Sequence, residues 1–219
     1  MKHFKTMGDF MTNVVHTQSV GEAWLSACKL VIQNGKFVAD GKTNVLELLN
    51  VQIIIDNALQ EDPIIKKHGK KEMIQWMKSN FLQQEPIPGW GYSYGQRIFN
   101  YNNSVNQLEN IIQKLSENRY SKSATFSTMD PINDNAHVPC IVAFDFKIRE
   151  DSLLTTAYFR SQDAGKKLYA DILAIGHIAG IVANRINHVN MGALILYISS
   201  LHIYETDMNE IKHLVEGNL

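Results

Sequence analysis

Cysteine is scarce in this sequence, and so is any excess of charge of one sign. The 219 residues include two cysteines, Cys28 and Cys140, which excludes a disulfide framework. The 21 lysines and arginines nearly balance the 22 aspartates and glutamates. The chain therefore has no strong net electrostatic field that would attract nucleic acid or a membrane surface. Together with a polar start over residues 1–5, this composition favours a protein of the reducing cytoplasm that binds a small ligand.

Long hydrophobic runs, repeats and low-complexity tracts are also missing. The most apolar stretches, 168–186 and 191–199, are interrupted by polar side chains such as Asp171 and Arg185 or are too short to span a bilayer. The glycines match no dinucleotide fingerprint, and we predict no metal site. The length and the 45% hydrophobic content fit a single domain over residues 1–219.

Hydrophobic periodicity predicts a chain that mixes helices and strands, an α/β (α+β) fold. Three-to-four-residue spacing predicts helices over 20–34, 72–82, 105–116, 171–186 and 206–216. Two-residue alternation and short apolar runs predict strands over 45–56, 124–128, 141–148, 153–159 and 191–204. We expect residues 1–19 to form at most a short arm. The basic run 66–71 is predicted to be a solvated loop, with a phosphate site as the alternative.

The stretch from Cys140 to Asp171 concentrates reactive side chains. Cys140 lies directly before the predicted strand 141–148. If this strand forms a hairpin with the predicted strand 153–159, Arg160 comes to lie close to Cys140. Taken singly, these residues have structural explanations: an inert core thiol, a surface cation and, for Asp171, a helix N-cap. In combination, a thiol, a fixed cation and an acid are the groups that covalent catalysis needs. We therefore interpret this stretch as an active site.

Two further segments fit a ligand pocket. Residues 86–97 form a loop dense in aromatics and glycine, which is typical of a segment that wraps a ligand and equally compatible with a packed surface loop. Alternation along the last strand places His202 and Tyr204 on one face, so both side chains could reach the same ligand.

Four short motifs carry a resemblance to a known family. They are Tyr94-Gly95, Pro139-Cys140, Arg160-Ser161-x-Asp163 and His202-x-Tyr204. In these motifs the sequence resembles the thymidylate synthase and deoxycytidylate hydroxymethylase family, and its brevity is similar to that of the short archaeal-type members. The resemblance covers roughly the last 130 residues well and about the first 90 only loosely. It implies a thymidylate synthase-like fold, a mixed β-sheet flanked by helices, with a homodimer formed through the sheet face.

The resemblance also implies a reaction. Cys140 would add to C6 of a pyrimidine nucleoside monophosphate, which makes C5 nucleophilic towards the one-carbon unit of 5,10-methylenetetrahydrofolate. Arg160 would stabilise the thiolate and, with Ser161, hold the phosphate. Glu72 is our candidate for the carboxylate that acts as general acid and base through water. The other implied site residues are Tyr94 in catalysis, Asp163 and Trp90 at the folate, His202 and Tyr204 at the sugar, Lys42 at the phosphate, and Lys122 and Ser123 at the phosphate of the neighbouring subunit.

Asp171 stands where the synthases carry an asparagine. An asparagine amide donates to O4 of uracil and accepts from N3–H, whereas an ionised carboxylate can only accept. It suits cytosine, whose N4 amino group donates, and the family's hydroxymethylases resemble this pattern. Facing O4 of uracil, the carboxylate would leave a buried mismatch that costs about 1–3 kcal/mol. We therefore expect a 5-hydroxymethylase acting on CMP or dCMP.

Two other functions stay open. The first is a thymidylate synthase, which would need Asp171 to serve dUMP. The second, from another class, is a nucleotide-binding protein that keeps the pocket without turnover. Residues 205–219 are all that follow Tyr204, and we take this short segment to favour water over hydride as the group that completes the product.

Overall fold

The structure, a computed structural model, describes residues 13–41, 43–58, 61–135 and 137–218. Lys42 and residues 1–12 of the expected arm lie outside the described residues. Within the rest of that arm, Asn13–Thr17 forms a strand that pairs in parallel with residues 51–55.

The described residues build one mixed, eight-stranded sheet. The strands are β1 (Asn13–Thr17), β2 (Lys36–Asp40), β3 (Thr43–Ile55), β4 (Thr125–Ser127), β5 (Ile141–Arg149), β6 (Ser152–Phe159), β7 (Gln162–Asp163) and β8 (Asn190–Tyr204). Their order is β1-β3-β8-β6-β5-β4, with β2 folded back on β3 and β7 paired with the end of β8. Antiparallel pairing joins β3 to β8, whereas β6 and β7 run parallel to β8. The predicted mixed sheet flanked by helices is confirmed.

Side-chain caps define where several helices begin. The helices are α1 (Val20–Asn34), α2 (Pro63–His68), α3 (Lys71–Leu82), α4 (Tyr94–Phe99), α5 (Gln107–Glu117), α6 (Leu168–Asn184) and α7 (Met208–Glu216). Ser19, Asp62, Ser93 and Asn106 each accept a backbone N–H of the first turn of α1, α2, α4 and α5. Pro63 at the first position of α2 adds a residue whose φ already suits a helix.

Helix α6 lies at the centre of the core. Most of its residues are buried, because it packs against α1 and α3 as well as against strands β6 and β8. A helix enclosed in this way is apolar on nearly every side, which explains its weak amphipathic pattern. Asp171 is one of its few polar residues and is 4% exposed.

Three local predictions were wrong. Helix α6 begins at Leu168, so Asp171 lies within its first turn and is not an N-cap. Half of the basic run 66–71 belongs to α2, because Asp62 and Pro63 start a helix ahead of it. Strand β2 falls in a segment for which the pattern predicted no element. Cys28 is fully buried in the core.

One face of the sheet carries exposed hydrophobic side chains. Val14, Gln52, Tyr197 and Tyr158 lie side by side across β1, β3, β8 and β6. Val14 is 54% exposed, and the rings of Tyr158 and Tyr197 stack with their centroids 5.6 Å apart. The Gln52 amide donates to the Tyr197 hydroxyl at 2.9 Å. In the part of the chain that the structure describes, no helix has the length and apolar character needed to cross a membrane.

Candidate active site

A cavity of about 450 Å³ opens between the β2–β3 hairpin, α3, the start of α6 and the ends of β6 and β8. Its wall is built by chain segments that are far apart in sequence. Nine of the residues predicted for the site line it, namely Trp90, Tyr94, Cys140, Arg160, Ser161, Asp163, Asp171, His202 and Tyr204.

Cys140 and Arg160 are brought together by the β5–β6 hairpin. The backbone N–H of Arg160 donates to the Cys140 carbonyl at 2.8 Å. The Arg160 guanidinium is held by the carbonyls of Val138 and Pro139, the two residues that precede the cysteine. It also donates to Ser161 Oγ at 3.1 Å, and this hydroxyl lies 3.7 Å from the Cys140 sulfur. A half-buried thiol thus faces the cavity beside a cation whose position is fixed by the backbone.

Tyr94 supports the same region from the other side. Its hydroxyl accepts the backbone N–H of Ile141 at 3.0 Å, directly after the cysteine. The Tyr94 N–H in turn donates to the side chain of buried Asn80 on α3. Burial raises the pKa of Tyr94 well above its usual range, and proximity to Cys140 adds to this, so Tyr94 remains a neutral phenol. Tyr94 lines the cavity, and its O–H has no acceptor among the described residues.

Asp171 is held by a partner that the sequence analysis did not identify. The Gln162 side-chain amide donates to Asp171 Oδ2 at 2.7 Å, and Gln162 is 2% exposed. Burial raises the pKa of Asp171 to about 7, while the hydrogen bond from Gln162 and the charge of Lys167 oppose the rise. At neutral pH the carboxyl group is therefore close to the midpoint of its titration.

Asp163, His202 and Tyr204 form the wall on the β8 side. Asp163 Oδ1 accepts the backbone N–H groups of Gly165 and Lys166, which orders the turn into α6. Burial raises the pKa of Asp163 and lowers that of His202, so the imidazole is neutral at physiological pH. The rings of His202 and Tyr204 meet edge to face with centroids 5.2 Å apart. The two side chains share one face, as the alternation predicts.

Glu72 was predicted as the general acid and base, and the structure does not bring it to the cavity. It is exposed in the first turn of α3, where an acid interacts favourably with the helix dipole. The half-buried acid on the cavity wall is Glu47 of β3, which faces His202 across the strand pair. Ser200 Oγ donates to Glu47 Oε1 at 2.5 Å. The sequence offered no signal for Glu47, since the contact joins segments 153 residues apart.

An aromatic wall closes the outer part of the cavity. Trp90 packs edge to face on Trp76 of α3, with centroids 5.2 Å apart. The Lys167 ammonium lies 5.9 Å and 5.8 Å from the two ring centroids, within the range of a cation–π interaction. The helical pattern of α3 does not distinguish a core face from a pocket face, so Trp76 could not be assigned to the cavity from the sequence.

The remaining predicted residues lie elsewhere. Lys122 is exposed and Ser123 contacts Lys114, and neither lines the cavity of this chain. Cys28 is unlike Cys140, because it is fully buried and its thiol donates to the carbonyl of Ala164 at 3.3 Å. Burial raises the pKa of Cys28 far above its ordinary value, which makes it an unreactive thiol.

Comparison with known proteins agrees with this geometry. The family model described as thymidylate synthase matches residues 26–218. A protein of Methanosarcina mazei is 27% identical over 207 residues, covering 93% of this chain and 95% of that protein. A protein of Methanopyrus kandleri is 32% identical over 207 residues, covering 90% and 96%. Both carry the name "Putative thymidylate synthase".

The fold and the cysteine-centred cavity define a one-carbon transferase of a family whose substrates are nucleotides and folates. The chain belongs to the thymidylate synthase family, as a short, archaeal-type member. The resemblance carried by the four motifs is thereby confirmed.

Proposed function

We propose that this protein is a cytidylate 5-hydroxymethylase that acts on CMP or dCMP with 5,10-methylenetetrahydrofolate as the one-carbon donor. The observation that carries the proposal is the carboxyl group of Asp171, buried on the cavity wall where a synthase has an amide. A carboxylate accepts from the N4 amino group of cytosine and has nothing to donate to O4 of uracil.

The chemistry begins at Cys140. Its thiolate adds to C6 of the base, and the electron pair of the C5–C6 double bond moves through C4 towards N3, which takes up a proton. The ionised carboxylate of Asp171 accepts from the N4 amino group, and once N3 is protonated it gains a second partner in N3–H. This charge-assisted bond forms only as the thiolate adds, so it favours the transition state over the ground state.

The phosphate and the sugar are assigned to two groups of residues on the cavity wall. Arg160 and Ser161 hold the phosphate beside the thiol, and His202 and Tyr204 meet the sugar hydroxyls. Lys122 and Ser123 would reach the phosphate only from a second subunit, because they lie away from the cavity of their own chain.

Glu47 takes the role first given to Glu72. Four acids line the cavity: Asp171 faces the base, Asp163 is tied to the turn before α6, Asp40 is exposed, and Glu47 is half-buried. A carboxylate in this setting can move protons to and from the reacting base through a water molecule.

The aromatic wall suits the folate. Trp90 and Trp76 offer flat surfaces for a pterin or aminobenzoate ring, and Lys167 lies beside them as a partner for a carboxylate. Asp163 lines the same cavity and can accept from the ring N–H groups of the pterin. When bound, the folate supplies the one-carbon unit, and the residues of this chain hold and orient it. Water completes the product in the hydroxymethylases of the family, which share the aspartate.

The proposal includes a homodimer formed through the exposed face of the sheet. Val14, Tyr197 and Tyr158 are the exposed hydrophobic members of a row across β1, β3, β8 and β6, in which Gln52 lies between Val14 and Tyr197. Large exposed hydrophobic patches are unfavourable on a monomer and typical of an interface. A second copy of the chain, placed face to face, would cover this row.

A thymidylate synthase acting on dUMP is the second candidate. It is favoured by the names of the relatives and by the raised pKa of Asp171, because a neutral carboxylic acid can donate to O4 of uracil. The mass of the product formed from CMP, dCMP, UMP and dUMP separates the two. Addition of a hydroxymethyl group to a cytidylate supports the proposal, and a methyl group added to dUMP alone overturns it.

Exchange of the C5 hydrogen of CMP, measured without folate, tests the thiol itself. Wild-type protein should exchange this hydrogen, and Cys140→Ser should not. Cys28→Ser is the matched control, because it removes a thiol that is buried away from the cavity. A protein that binds nucleotide but exchanges no hydrogen would be the non-catalytic alternative.

A further inference from the structure

Gln162 occupies the variable position of the Arg160-Ser161-x-Asp163 motif. We propose that Gln162 is a positioning residue that determines base selectivity, because its amide engages Oδ2 of Asp171 and leaves Oδ1 as the atom that meets position 4 of the base. The inference rests on the proposed function, in which Asp171 reads the base.

The contact between the two side chains is short and shielded from solvent. Gln162 Nε2 lies 2.7 Å from Asp171 Oδ2, and the two residues are 2% and 4% exposed. The backbone of Gln162 is fixed by β7, which pairs with Leu201 of β8. An ionised carboxylate accepts hydrogen bonds only, so the nitrogen of the Gln162 amide must be the atom that faces it. Both side chains line the cavity.

The two oxygens of Asp171 are therefore not equivalent. Oδ2 is engaged by Gln162, whereas no donor among the described residues bonds Oδ1. An unpaired oxygen that is not fully buried must be accessible to solvent, and Asp171 Oδ1 is unpaired without being fully buried. Because Asp171 lines the cavity, Oδ1 is open to it. With the Gln162 nitrogen facing Oδ2, the proton of the neutral carboxyl group resides on Oδ1. The ionised form thus presents an acceptor to the base, and the neutral form presents a donor.

Base selectivity consequently depends on the charge of Asp171. The N4 amino group of cytosine can donate to the carboxylate, but O4 of uracil needs the proton on Oδ1. Burial raises the pKa of Asp171 to about 7 and Asp163 adds to the rise, while Gln162 and Lys167 oppose it. Tyr94, which also lines the cavity, stays a neutral phenol. Removing the Gln162 amide raises the pKa of Asp171 further, so more of the neutral form is present at pH 7–8.

The test compares Gln162→Met, which keeps the length of the side chain and loses the donor, with wild type. Dissociation constants for CMP and UMP are measured between pH 6 and pH 9. In wild type the preference for CMP should grow as the pH rises through about 7. A hydrogen bond to a charged group is worth about ten- to a hundredfold in an equilibrium constant, so the midpoint in Q162M should lie about one to two pH units higher.

A second readout needs no nucleotide. The ¹³C signal of the Asp171 carboxyl group, assigned by its loss in Asp171→Asn, is titrated in both proteins. Gln113→Met is the matched control, because Gln113 makes the same amide–carboxylate contact with Glu117 on the exposed side of α5. If Q162M is poorly folded, Gln162→Asn, which is one methylene too short to keep the contact, replaces it.

The outcomes separate the two proposals. An unchanged Asp171 midpoint in a folded Q162M or Q162N protein overturns the role of Gln162. A shifted midpoint with unchanged CMP preference also overturns it, since the charge of Asp171 would then not set selectivity. A wild-type protein with no preference for CMP at pH 8 overturns the proposed function, and the titration still reports on Gln162.

Discussion

Replacing Asp171 by asparagine should turn the base preference from cytosine to uracil. The new amide would be orientated by Gln162, whose N–H donates at the position of Oδ2. The carbonyl oxygen of the new amide must therefore face Gln162, and its NH₂ group must point into the cavity at the position of Oδ1. An NH₂ group at this point donates to O4 of uracil and opposes the N4 amino group of cytosine.

The magnitude follows from the burial of the site. A buried polar group without its partner costs about 1–3 kcal/mol, which is about 5- to 150-fold in affinity. The substitution removes such a mismatch for uridylates and creates one for cytidylates. The affinity for UMP or dUMP should rise by this factor and the affinity for CMP or dCMP should fall by it, so the ratio changes by the product of the two.

The same substitution makes a prediction about stability. The carboxyl group of Asp171 titrates near 4 in an unfolded chain, and burial raises its pKa to about 7 in the folded protein. Because the folded pKa is raised, wild-type protein loses stability as the pH rises from about 4 to 7, by at most about 4 kcal/mol. An amide does not titrate, so the stability of Asp171→Asn relative to wild type should increase over this pH range and level off above it.

Binding of the four nucleotides by calorimetry at pH 8, where the wild-type carboxyl group is mostly ionised, measures the switch. Urea unfolding of the two proteins at pH 5 and pH 8 shows that the variant is folded and tests the effect of burial separately. Unchanged selectivity in a folded variant would refute the assignment of Asp171 as the residue that reads the base. An equal stability difference at the two pH values would refute the raised pKa.

Three other predictions concern the acid, the interface and the core. Glu47→Gln should lower turnover by about a hundredfold or more in a product assay, while Glu72→Gln, the matched exposed variant, should leave it unchanged; equal losses would exclude Glu47 as the acid. Tyr197→Lys should convert a dimer to a monomer in analytical ultracentrifugation, since it places a charge in the hydrophobic row, and an unaltered dimer would exclude this face as the interface. Arg97→Met leaves the buried carboxylates of Asp130 and Asp134 without their cation and should lower the free energy of unfolding by about 3 kcal/mol in urea. The control Arg185→Met, which breaks an exposed pair with Glu109, should cost less than about 1 kcal/mol.

Much of the fold could be predicted because it follows from local patterns. Helix α1 spans residues 20–34, as the helical period predicts. The hairpin of β5 and β6 was found from alternation and a polar turn, and its register places Arg160 beside Cys140. Side chains brought together by a single hairpin are within the reach of sequence reasoning, since few residues separate them.

Other parts of the site could not be found in this way. Glu47 and Ser200 meet only because β3 and β8 pair, and no local pattern specifies that pairing. Glu72 was a plausible acid on a helix near the pocket, but the packing of α3 turns Trp76, and not Glu72, towards the cavity. Gln162 is close to Asp171 in sequence, yet the contact depends on α6 beginning at Leu168 and turning the carboxyl group inwards.

The sequence by itself determined the reactive groups: a thiol, a fixed arginine and an acid where the family's synthases have an amide. Their chemistry depends on residue type and on spacing within a hairpin, and both can be read along the chain. Only the tertiary structure decided which carboxylates are buried at the cavity and what each oxygen contacts. Burial and hydrogen-bond partners set the charge of a carboxyl group, and both arise from packing between segments that are distant in sequence.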